Sequence, residues 1–179
     1  MKHYSLFLLV FGLSAQITVI AQTPPAQVAS PIQIESVRVE PATLPGSSLR
    51  WAKLIAEFST TEPWLDGVVF SATALLGEGE SARLVTGNVR YSNIPKGRHS
   101  AILYLSPRAA ARFGSPELVQ FTAFHRDMEA SQMTWKNPSA GSLPENWQSL
   151  NVYPNVLVNV TRTPWILVDY DKTPDVAGN

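Results

Sequence analysis

Residues 67–91, GVVFSATALLGEGESARLVTGNVRY, decide the fold class. From Gly67 to Leu76 the residues Phe70, Ala72, Ala74 and Leu76 recur at period two, which puts them on one face of an extended strand. Gly77-Glu78-Gly79-Glu80 then supplies a loop with glycine freedom. From Arg83 to Tyr91 the same alternation returns, with Val85, Val89 and Tyr91 sharing a face. Two half-buried strands in succession, with no helical period in either, point to an antiparallel β architecture.

Outward from this block the pattern repeats. Ile32 and Ile34, then Val37 and Val39, alternate with an irregularity near Ser36 before Pro41. Trp51 to Phe58 alternates Leu54, Ala56 and Phe58 against Trp51, Lys53, Ile55 and Glu57, and Glu62-Pro63 is expected to end that strand. Pro95-Lys96-Gly97 reads as a turn, so the fourth run and His99–Leu105 are expected to form a hairpin. Ser106-Pro107 followed by an alanine-rich run and Gly114 has the signature of one short helix, with an N-cap, a proline in the first turn and a glycine stop. Leu118–Arg126 is a further strand, and Gln132–Trp135 continues the sheet after a turn. Asn151–Arg162 reads as the last long strand, with Val152, Val156, Val158 and Val160 at period two. The expectation is a mainly β protein, an immunoglobulin-like or fibronectin-like β-sandwich with one short inserted helix.

The N-terminus has the form of a secretory signal peptide. Lys2 and His3 precede the apolar run Leu6–Leu13, and Val19-Ile20-Ala21 suits signal peptidase. Cleavage is expected after Ala21, with Ala15 as the second choice. The expected organisation is signal peptide 1–21, flexible Pro/Ala/Gln linker 22–30, sandwich domain 31–172 and loose tail 173–179. The chain contains no cysteine, so disulfides, thiolate metal sites and a lipid-modified cysteine are excluded. With 14 basic and 14 acidic residues and no basic stripe, neither nucleic-acid nor anionic-membrane binding is indicated. Contact with a membrane is expected only through export or through partners.

Catalytic motifs are missing from the sequence. There is no Gly-x-Ser-x-Gly elbow, His-Glu-x-x-His or phosphate loop. His99 and His125, with Asp66 or Asp127, form a triad only on paper, because triads are defined by geometry. Asp169 and Asp171 share a face if extended and are a weak Ca²⁺ candidate. No cofactor is expected, and chelators are expected to leave the melting temperature unchanged. The tryptophans carry more information. Trp51 reads as core, and Trp64 and Trp165 as plugs of the sandwich ends. Trp135, Trp147 and Trp165 are the residues a sugar-binding groove would use. A partner-binding surface is expected on the long loop 137–150 and the β-prone segment after it, with Trp147, Val156, Val158 and Trp165 as candidate contacts.

A resemblance rests on Arg50-Trp51-Ala52-Lys53-Leu54, on Glu62-Pro63-Trp64-Leu65-Asp66 and on Val89-Arg90-Tyr91-Ser92-Asn93-Ile94-Pro95-Lys96-Gly97. To these it adds His99–Leu105 running into Ser106–Gly114. Over Ile32 to Trp135 the chain resembles small exported immunoglobulin-like proteins of verrucomicrobial bacteria, some encoded beside type IV pilus genes. The resemblance implies an Ig-like sandwich without catalytic residues and a role in pilus assembly or envelope structure. It carries no motif of functional residues. The expected function is therefore non-enzymatic binding or assembly in the periplasm or outer cell envelope, through protein contact with pilus or envelope components or by self-association. The alternative is a carbohydrate-binding or carbohydrate-active exported domain.

Overall fold

The structure is a computed structural model that describes residues 30–141, 144, 146–167 and 174–176. The signal peptide, nearly all of the linker, and the Asp169/Asp171 pair lie outside the described residues. Among these residues ten strands and one α-helix follow in order: β1 (Ile32–Thr43), β2 (Arg50–Leu65), β3 (Val68–Leu76), β4 (Arg83–Ser92), β5 (Ile94–Leu105), α1 (Pro107–Phe113), β6 (Pro116–His125), β7 (Met128–Lys136), β8 (Val152–Tyr153), β9 (Leu157–Asn159) and β10 (Asp175–Val176). One sheet has the order β1-β2-β5-β9. The other runs β10-β4-β3-β6-β7, with β8 added parallel to β4. The inward residues of both sheets form one core around Leu54, Ala56, Phe58, Phe70, Val89, Tyr91, Leu103 and Phe121. At its centre the rings of Phe58 and Phe70, one from each sheet, lie 4.5 Å apart.

Several local readings of the sequence are met. The register of β1 shifts between Ile34 and Ser36. In α1 the Ser106 hydroxyl accepts the Ala109 N–H at 3.2 Å, and Gly114 closes the helix. β6 and β7 join through Arg126 and Asp127, both at positive φ, the two-residue turn whose twist suits a hairpin.

Three readings are corrected. First, Glu62-Pro63 does not end β2. The register slips between Thr60 and Trp64, and the strand continues to Leu65, so the proline occupies a bulge where no ladder N–H is needed. Second, β4 and β5 are not a hairpin. Pro95-Lys96-Gly97 lies inside β5 and pairs with the end of β2. The chain changes sheets at Asn93, which takes φ 54, a left-handed conformation asparagine tolerates. Asp66 Oδ1 accepts the Asn93 N–H at 2.7 Å, while Tyr91 and Ile94 on either side are both buried. Burying both requires the chain to cross the core. Third, Asn151–Arg162 is not one strand. Pro154 and Asn155 (φ 58) turn it between β8 and β9, and two 3₁₀ turns follow, Val160–Arg162 and Pro164–Leu167. Within the stretch read as a tail, Asp175 and Val176 pair with Ser92 and Tyr91 of β4.

These late segments cover what two sheets leave open. Val160 and Trp165 lie on Ile55, Ile102 and Tyr104, on the outer face of the first sheet. Trp147 and Leu150 lie on Leu75, Ala82, Leu84 and Leu118, on the outer face of the second. Apolar residues on both faces of β2 and β5 therefore have a cause: each strand is covered twice. Along the other side, β1 and β7 meet where the Ile34 N–H donates to Ser131 Oγ at 2.9 Å.

Tyr91 ties the sheets together. From β4 its hydroxyl accepts the Ile102 N–H of β5 at 3.2 Å. Burial pushes its phenol above the ordinary value of 10.0. Well below pH 10, up to about pH 9, both folded and unfolded phenols are protonated. Above that pH the unfolded phenol ionises and the folded one does not, so stability falls by up to ~1.4 kcal/mol per pH unit. Tyr91→Phe is expected to lose about 1–2 kcal/mol at pH 8, because the Ile102 N–H is orphaned. It is also expected to fall less steeply than wild type between pH 10 and 11. Parallel slopes in urea titrations of the two proteins would refute this role.

Candidate functional site

The four residues expected to touch a partner do not form one surface; only Val158 and Trp165 share a cluster. Trp147 sits in a 3₁₀ turn against the outer face of the second sheet. Val156 is at the rim of the main core, its N–H bonded to the Thr86 carbonyl at 3.0 Å. Val158 and Trp165 belong to the cover of the first sheet. Trp165 is only 5% exposed. It stacks on Tyr104 at 6.3 Å and 11°, with Lys53 Nζ 4.3 Å from its ring centroid. It holds the cover down and offers no ring to a partner. Trp64, expected as a plug, is instead 56% exposed: after the slip in β2 it is Leu65 that enters the core beside Ile94, and Trp64, one residue before it, faces outward.

Two of the polar candidates are occupied structurally. His99 Nε2 lies 2.8 Å from the Pro95 carbonyl oxygen and its ring rests on Phe58. Asp66 holds the Asn93 turn. Among the described residues no group of three or more histidine, aspartate and glutamate side chains is placed to hold a metal.

One end of the sandwich is built differently. Leu44 to Ser47 form a turn closed by Ser47 N–H to Leu44 O at 3.0 Å. Pro45 sets its second position, and Gly46 takes the positive φ (77) of its third. The Ser47 hydroxyl accepts the Leu49 N–H at 3.1 Å. This fixes Leu49 beside the first residues of β2 with 60% of its surface in solvent. Across from it lies α1, which begins directly after β5. Leu49, Trp51, Ser106, Pro107, Arg108 and Ala111 enclose an open, almost wholly apolar concavity of about 500 Å³. Trp51 also lines a second hollow, of about 380 Å³, with Val39, Pro41, Arg50, Ala110 and Trp135 among its other walls. Trp51 thus stands between two hollows at one end of the molecule.

Trp51 was expected in the core and is not there. It is half-buried, on the outer face of the first sheet, edge-on to Tyr104 at 6.4 Å. A full-core truncation costs ~3–5 kcal/mol; a half-covered ring is expected to cost about 1–2. Trp51→Ala should therefore fold, with a urea midpoint only modestly lowered. A loss above about 4 kcal/mol would mean the ring is structural.

Sequence reasoning named Trp51 and Trp135 but not Leu49. Nothing in the sequence distinguishes Leu49 from a strand residue; only the turn before it leaves it outside. No protein-family model and no curated protein matches this chain.

Proposed function

We propose that this protein is a non-enzymatic binding or assembly domain of the bacterial cell envelope, exported by its N-terminal segment and acting by contact with a protein partner. The observation that carries this is the apolar concavity at Leu49, Trp51, Pro107 and Ala111. An exposed leucine and a partly exposed tryptophan around an apolar hollow are what a partner's apolar side chain fills. The resemblance to exported immunoglobulin-like proteins supports a partner in the envelope, with pilus components as one class. Strand order supports the immunoglobulin-like or fibronectin-like reading. With β1 to β3 lettered A, B and C, β4 as C′, and β5 to β7 as E, F and G, the sheets read A-B-E and C′-C-F-G. In the constant-type arrangement strand D lies beside E; here β9 takes that place.

A second reading, carbohydrate binding, is favoured by one feature. Trp51 and Trp135 line the same hollow with Arg50 and Asn137, and aromatic faces beside polar groups suit a sugar ring. The two readings separate when purified full-length protein is applied in parallel to a glycan array and to cross-linked envelope preparations. The contact reading expects a discrete protein partner, diminished by Trp51→Ala, and no glycan signal. Saccharide binding abolished by Trp51→Ala or Trp135→Ala would replace it. Turnover of a glycan or ester, abolished by one point substitution, would end it.

A further inference from the structure

Building on the contact reading, we infer that the Leu49–Trp51–α1 concavity takes an acidic segment of a partner protein, anchored by one large apolar side chain. Two features of the same surface carry this. The lining is apolar and the open volume of about 500 Å³ has room for one aromatic or branched side chain. Its rim is cationic: Arg108 lines the first hollow and Arg50 the second, on either side of Trp51. Arg112 follows Arg108 by one turn of α1, its guanidinium 5.0 Å from the Phe113 ring.

Among the described residues no acidic side chain lines either hollow. No ion pair among the described residues engages Arg50, Arg108 or Arg112. This contrasts with the rest of the first sheet. There Arg38 is bonded to Glu40 and Glu57, at 2.7 and 2.8 Å, and Arg98 to Glu35 at 3.2 Å. In a chain with equal numbers of basic and acidic residues, exposed arginines on both hollows, with no ion pair among the described residues, leave that end with unneutralised positive charge. The neighbouring carboxylate, Glu117, is buried behind Asn137 and bonded to it at 3.1 Å. Arginine forks bind carboxylates in pairs, and a partner's carboxylates are the complement that is missing. A basic segment would be repelled. A second copy of this chain meets the same positive rim at any two-fold contact through this end, so self-association there is disfavoured.

The test is selection of random peptides, displayed on phage, against the full-length protein. Enriched sequences are expected to combine two or more Asp or Glu with one Trp, Phe or Leu. A synthetic peptide of that sequence should bind in fluorescence titration, weaken as salt is raised through the screening range, and lose about thirtyfold or more in affinity with Leu49→Asp. Arg50→Glu combined with Arg108→Glu should give a comparable loss. Both variants change exposed side chains, so unchanged melting curves serve as the folding control. Lys- or Arg-rich enrichment, no enrichment, or binding indifferent to these substitutions would overturn the inference. Peptides bound through another surface would sink this site while leaving the contact reading in place. Dimerisation through this end, or saccharide binding at Trp51, would overturn it by naming a different occupant.

Discussion

Phe70→Ala is expected to be the most damaging single truncation, costing about 3–5 kcal/mol. Phe70 lies on β3, a central strand of the second sheet, and has no solvent exposure. Its ring meets Phe58 of the opposite sheet at 4.5 Å and Tyr91 edge-on at 6.0 Å. Removing it opens a cavity where the two sheets are held together, and aligned strands on both sides resist collapse into the space. Single domains are stable by only ~5–15 kcal/mol, so the variant loses a large fraction of the total. Phe58→Ala should cost nearly as much. The double variant should cost less than the sum, because the second truncation removes contacts already lost. Urea unfolding of the four proteins measures this cycle. Strict additivity would show that the rings do not act as a pair.

Gly87→Ala is the second large effect, and its cause is steric. Gly87 faces Leu157 so closely that an added Cβ would sit 2.2 Å from the Leu157 carbonyl oxygen and 2.6 Å from its Cβ. β4 cannot retreat, since Gly87 is paired with Ala72 in the middle of the β3 ladder. β9 is the weaker party. It holds β5 over only Leu103 to Leu105, and it must move. Lifting β9 takes Leu157 out of the main core, where it is 2% exposed. Losing that burial along with the strand pairing is expected to cost about 2–4 kcal/mol. Trimming Leu157 to Ala should not rescue the variant, because the nearest atom is backbone. Amide exchange localises the effect: 157–159 should lose protection in Gly87→Ala while β2 and β3 keep theirs. Unaltered protection there, with a loss under about 0.5 kcal/mol, would contradict this account of the β4–β9 contact.

Most of the long strands were legible because alternation marks them, as in β3 and β4, whereas the alternation of Asn151–Arg162 misled. The helix was legible because Ser106, Pro107 and Gly114 stand at the positions caps require. Which strand joins which sheet was not legible. Ser92 to Gly97 has the composition of a hairpin turn. The crossing it makes is decided by Asp66, distant in sequence, and by the burial of both Tyr91 and Ile94. The cover over the first sheet left a trace that the alternation masked. Leu54-Ile55-Ala56 and Ala101–Leu105 are continuous apolar runs, the sign of strands buried on both faces. Read that way, Ile55 and Ile102 call for a second layer, and Trp165 is its natural anchor. The concavity at Leu49 was the least legible feature, since exposure of one leucine depends on the geometry of the turn at Pro45-Gly46.

The claim that the protein works by contact at this end is tested most directly by site-specific photo-crosslinking in the producing cells. A photoreactive residue replaces Leu49 in the full-length chain or, as a comparison, Thr134 on the exposed side of β7. The account predicts a discrete protein adduct from position 49, mapped by mass spectrometry to an acidic stretch with an aromatic or aliphatic residue, and none from position 134. Adducts from position 134 without any from position 49, or none from either, would contradict it.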